Sequence, residues 1–122
     1  MMSALPAPTP SLSGTWLPVR AELDGELAPE LALTRMELLL DASAGYAIRF
    51  GGETHDSGTF VSSETTLTFT ATAGHHPGRI VPALYQLAGN RLRICFGLAG
   101  ILPDAFTTAA NSGRYLVTYR RA

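Results

Sequence analysis

The feature that most constrains this chain is an alternation of apolar and polar residues, repeated in segment after segment. Met36, Leu38 and Leu40 alternate with Arg35 and Glu37. Tyr46, Ile48 and Phe50 alternate with Ala47 and Arg49. Leu67, Phe69 and Ala71 alternate with Thr66, Thr68, Thr70 and Thr72. Leu92, Ile94 and Phe96 alternate with Arg91, Arg93 and Cys95, and Tyr115, Val117 and Tyr119 with Leu116, Thr118 and Arg120. Successive side chains of a strand point to opposite faces, so each segment reads as a strand with one apolar and one wet face. Near the N-terminus, Leu17, Val19, Ala21 and Leu23 read as one face, and Trp16, Pro18, Arg20 and Glu22 as the other.

Turn residues punctuate the strands: Asp24-Gly25, Ser43-Ala44-Gly45, Gly51-Gly52, Ser62-Ser63, Gly74 to Gly78, Gly89-Asn90 and Asn111-Ser112-Gly113. Less regular strands fall near 56–62 and 80–88, which brings the expected total to eight. Residues 26–34 have room for one helical turn, limited by Pro29, and residues 98–113 have room for another. Sequential hairpins with one apolar face each fold as a closed barrel or as a sandwich. Closure leaves no unpaired strand edge, and hairpin connections favour it. The expected fold is all-β, an eight-stranded antiparallel up-and-down barrel over residues 12–122. Residues 1–11, with Pro6, Pro8 and Pro10, read as a flexible lead-in.

Composition narrows the function classes. The chain has 122 residues, a length that supports one core without staples. Its nine cations are all Arg, against ten carboxylates, and the net charge is −1. With a pI of about 6.3 and one basic doublet, Arg120-Arg121, no nucleic-acid partner is expected. Cys95 is the sole cysteine, so no internal disulfide forms. No apolar run has the length of a membrane helix, and Met1–Pro10 lacks the pattern of a secretory leader. The expectation is a cytoplasmic protein without a membrane span.

Leu12-Ser13-Gly14-Thr15-Trp16 leads into the first strand. This Gly-x-Trp looks like the lipocalin signature. More widely the chain resembles an uncharacterised lipocalin-like (calycin-type) domain family abundant in planctomycetes. The match spans about residues 12–121, in order. The matching residues are Leu12, Gly14 and Trp16; Asp24-Gly25; Gly45 and Tyr46; Tyr85 and Leu87; Leu92, Ile94 and Cys95; Pro103 and Phe106; and Arg120. The resemblance implies that Trp16 closes one barrel end and that Arg120 or Arg121 packs on its face. It departs at Leu102, where members commonly carry Arg before the Pro. It implies a fold and no activity.

Candidate sites follow. The presumed inner face carries Met36, Tyr46, Phe50, Phe69, Tyr85 and Phe96 and no charged residue. An eight-stranded barrel either fills with side chains or holds one small ligand. One reading is therefore non-covalent binding of a small apolar or amphipathic molecule, oriented by Tyr46 or Tyr85. The other is a filled barrel that meets a protein partner, or a second copy, through its outer face or the 98–113 segment. His55, His75 and His76 fall in presumed loops without a short ligand motif, so no metal or cofactor is expected. Cys95 has no evident base, and Glu22, Asp24 and Glu26 bracket a turn without an opposing carboxylate. No catalytic constellation emerges, and an enzyme ranks third.

Overall fold

The computed structural model describes residues 11–122. Apart from Ser11, the Pro-rich lead-in lies outside the described residues. The elements are β1 (Gly14–Leu23), β2 (Glu26–Leu27), α1 (Glu30–Leu33), β3 (Met36–Leu40), β4 (Gly45–Phe50), β5 (Glu53–Ser62), β6 (Thr66–Gly74), β7 (Ile80–Ala88), β8 (Arg91–Gly97) and β9 (Arg114–Arg121). All pairings are antiparallel, and from β3 onward each strand bonds the next in sequence. β1 bonds both β3 and β9, which closes an eight-stranded up-and-down barrel. The two-residue β2 only folds back on the end of β1, pairing Glu22 with Leu27. Asp24 and Gly25 between them have φ of 48° and 86°, the paired positive values of a tight hairpin turn.

Strand direction gives the barrel two distinct ends. β1 starts and β9 finishes at what we call the Trp16 end. At the opposite, loop end lie α1 and the long segment between β8 and β9. The strands are held in phase by cross-strand apolar pairs: Leu38 with Ile48, Leu40 with Tyr46, Leu67 with Ala83, Leu87 with Leu92, and Ile94 with Val117. A one-residue slip would turn every one of these outward. Aromatic rings occupy the middle. Phe69 has Tyr46 at 5.0 Å, Phe96 at 5.5 Å and Phe60 at 6.2 Å between centroids, and Phe96 stacks on Tyr115 at 5.7 Å.

β1 corrects the sequence reading. Its register with β9 shifts between Pro18 and Arg20, which marks a bulge at Val19. A proline donates no ladder hydrogen bond, and bulges are among the few places where a strand tolerates one. The extra residue flips the phase. Trp16 and Pro18 point inward before it and Ala21 after it, while Val19 and Leu23 are 43% and 46% exposed. Leu17, Val19, Ala21 and Leu23 therefore do not share a face.

β5 departs as well. His55, read as a loop residue, lies in the strand, which begins three residues before Asp56 at Glu53. Gly51 and Gly52, with φ of 62° and 83°, make so tight a turn that pairing resumes at Glu53. A bulge at His55 in the pairing with β4 contributes to the weak periodicity of β5, and the register shift against β6 lies at Thr72 of β6. The 98–113 segment holds no helical turn. It lies instead over the outer face of β8 and β9. Gly97 admits it, because a Cβ there would collide with the Ile101 carbonyl. The single turn of α1 begins directly after Pro29 and lowers Leu33 into the core.

Candidate functional site

Trp16 is wholly buried beneath the barrel end where β1 begins. Its indole N–H donates to the Leu12 carbonyl at 2.8 Å, so the ring's one polar atom is satisfied. The Arg121 guanidinium stands over the ring, its Cζ 4.3 Å from the centroid. The same group donates through Nη1 to the Ser13 carbonyl and through Nη2 to the Ser11 carbonyl, both at 2.8 Å. Arg121 thus ties the last strand to the residues that precede the first. Gly14 makes room for it. At φ 138° a side chain is strained, and a Cβ there would stand 3.0 Å from Arg121 Nη1. Of the two candidate arginines only Arg121 stacks; Arg120 points to solvent. Strand phase explains the choice, since Arg121 pairs with Trp16 and Arg120 with Leu17.

Beside this plug lies a cleft of about 560 Å³. Leu12, Phe60, Tyr85 and Leu87 supply its apolar wall, and Ser11, Ser13, Ser62, Asp41 and Glu64 its polar one. Phe60 belongs to the core cluster, and Leu12, Tyr85 and Leu87 pack against that cluster, so the wall continues the barrel interior. Asp41 Oδ1 accepts hydrogen bonds from the backbone N–H groups of Ser43 and Gly45, both at 2.9 Å. The bond from Gly45 is the main reason its carboxyl titrates below the ordinary range. The Tyr85 hydroxyl donates to the Ser63 carbonyl at 2.7 Å. Burial, and then the negative charge of Glu64, pushes that phenol up.

The remaining interior candidates lie elsewhere. Phe69 and Phe96 are buried in the ring stack, Met36 is half-buried toward the loop end, and Phe50 stands at the loop-end rim, 39% exposed. Tyr46 is buried, and its hydroxyl donates to Asp56 Oδ2 at 3.2 Å. Its pKa is pushed up to about 12, first by burial and then by the charge of Asp56. Asp56 corrects the expectation of a charge-free interior. It pairs with Ile48, an inward position, and its Oδ1 is buried with no hydrogen-bond partner. Sequence reasoning missed it because the bulge at His55 shifts the phase of β5.

The polar candidates have structural tasks. Asp24 Oδ1 accepts from Gly113 N–H at 2.8 Å and from the Ser112 hydroxyl at 3.3 Å. Glu22 Oε1 accepts from the Thr108 hydroxyl at 2.9 Å. Both carboxylates thus latch the 98–113 segment. Glu26 is exposed. Cys95 faces outward yet is buried under that segment, its Sγ 3.8 Å from the Thr107 carbonyl. Burial pushes the thiol pKa up, which lowers the thiolate fraction a nucleophile needs. The rings of His55 and His75 are 5.9 Å apart. Among the described residues they form no metal-holding group with a third His, Cys, Asp or Glu. No helix among the described residues is long and apolar enough to cross a membrane.

Comparison with protein-family models gave no match, and comparison with curated proteins gave none.

Proposed function

We propose that this barrel is a lipocalin-like binding domain for a small amphipathic molecule, held at the Trp16 end. The cleft beside Trp16 carries the reading, because its apolar wall is continuous with the core and its rim is polar. A volume of about 560 Å³ lies in the range of small-molecule sites. The rim charges at Asp41 and Glu64 are both negative, so the favoured polar end is neutral or cationic. The apolar end lies against Leu87 and Phe60.

Dodecylamine and laurate form the test pair. The amine is expected to raise the melting temperature, by about 2.7 kcal/mol of stabilisation at a hundred times its Kd, and laurate much less. Ala42→Trp, which fills the cleft from an exposed turn, should abolish the shift. Equal shifts with both probes, or a shift that survives Ala42→Trp, would refute this placement. A second reading has its own observation. The rings from Phe60 through Phe69 and Phe96 to Tyr115 form a continuous chain through the interior, as in a domain that meets protein partners by its outer face. Absence of any probe-induced shift would favour it.

A further inference from the structure

Strand phase gathers four arginines on one outer face, across β1, β9 and β8. Arg91 is the direct cross-strand partner of Arg120. One row along, Arg93 faces Thr118, which faces Arg20. Neighbouring positions across a sheet are about 5 Å apart, and alternate positions along a strand about 7 Å. Like charges placed directly opposite destabilise a sheet, so an arrangement of this kind costs free energy when nothing neutralises it.

Little in the chain does so. The salt bridges among the described residues are Arg114–Asp104, on the same outer face but at the loop end of β9, and Arg20–Glu22 at 3.7 Å. Glu22 is shared with Thr108. Residues 1–10 contain no Asp or Glu that could supply a counter-charge. Arg93 is held in place, stacked 4.1 Å over the Phe106 ring and donating to Gln86 Oε1 at 2.7 Å. A guanidinium has five donors, so others remain free. The surface here is concave. Two depressions, of about 260 and 290 Å³, share Arg93 and Thr118; Arg20 lines the first together with the Glu22 carboxylate, Arg91 lines the second, and Arg120, across the sheet from Arg91, lines neither.

The geometry points to a binding site for a compact soluble anion of the phosphate-ester or pyrophosphate class, held by Arg20, Arg91, Arg93 and Arg120. Guanidinium forks match the oxygen spacing of phosphate, and the Thr118 hydroxyl between them adds a further hydrogen-bond donor. The cluster is two positions deep and three strands wide, which suits a small multivalent ion better than an extended polymer. This site is separate from the cleft at Trp16 and does not depend on it.

Calorimetric titration of the full chain with pyrophosphate tests this, alongside the Arg91→Gln/Arg120→Gln double variant. Wild-type protein should bind with an affinity that weakens as salt rises. The double variant should lose about tenfold or more in affinity. Without pyrophosphate, its melting temperature at low salt should equal or exceed that of wild type, because the like-charge contact is gone. Equal binding by both proteins would overturn the proposal. So would no binding at millimolar pyrophosphate, or a drop in the double variant's ligand-free melting temperature. Arginine-dependent binding of polyglutamate or phosphatidylserine vesicles, with none of pyrophosphate, would replace the small anion with a macromolecular partner.

Discussion

The two ends of the barrel are closed by different physics. At the Trp16 end, one ring, one guanidinium and two backbone carbonyls do the closing, within a few residues of the chain termini of the barrel. At the loop end, α1 and the 98–113 segment close it. Leu33, Ala28 and Leu98 reach the core, and polar contacts from Glu22, Asp24 and Arg114 hold the long segment in place. The first closure is concentrated in a single buried side chain. The second is spread over several partly exposed contacts, each modest on its own. Concentrated closure should fail abruptly on one substitution, and distributed closure should loosen in steps.

The largest effect is therefore expected at Trp16. Trp16→Ala should cost about 3–5 kcal/mol in a chemical denaturation experiment, the range for large aromatic truncations in a core. A cost below about 1 kcal/mol would remove the contrast between the ends.

At the loop end, Asp24→Ala should cost about 1–3 kcal/mol, through the lost charge-assisted bonds to Ser112 and Gly113 and the less tolerant residue at positive φ. Amide exchange should then speed up in residues 98–113 and stay slow in β3 and β4. Uniform acceleration would show that the segment is part of one cooperative unit with the barrel.

The arginine pair sharpens the contrast within one end. Arg121→Ala should cost about 1–2 kcal/mol, from the lost stack and two backbone contacts. Arg120→Ala, on the wet face, should stay within about 0.5 kcal/mol. Equal costs would mean that the stack on Trp16 contributes nothing particular.

The last effect is silent near neutral pH. Tyr46, Tyr85, Tyr115 and Tyr119 all have phenols raised by burial, Tyr46 to about 12. A raised folded pKa means that the native state keeps protons the unfolded chain releases. The associated stability is complete below pH 10 and is lost as pH rises through the folded values. Phenolate absorbance should lag behind that of the denatured protein, with Tyr46 ionising near pH 12. Native ionisation near pH 10 would contradict the buried setting of these rings.

Much of this architecture was legible from alternation alone. β3, β4, β8 and β9 have unbroken periods of two, as does β6 up to its bulge at Thr72, and their turns carry the residues such turns require. β1 was misread because Pro18 brings a bulge, and one inserted residue inverts the phase beyond it. Asp56 escaped notice for the same reason, since a bulge at His55 sends a charged side chain inward. The choice between Arg120 and Arg121 was legible in β9 itself, since Arg121 continues the inward series Tyr115, Val117 and Tyr119. The docking of residues 98–113 depends on contacts about ninety positions apart, such as Asp24 with Gly113, which no local pattern encodes. The cleft at the Trp16 end combines side chains from several turns and was not foreseen; of the six interior candidates, only Tyr85 lines it.

Resonance-by-resonance NMR titration with dodecylamine tests the proposed binding at the Trp16 end most directly. The methyl groups of Leu12 and Leu87 and the indole N–H of Trp16 should shift in step with the amine, while those of Val117 and Ile94, paired in mid-strand, stay fixed. Shifts centred on Val117 and Ile94, with Leu12 and Leu87 unmoved, would contradict it and return the ligand to the barrel interior.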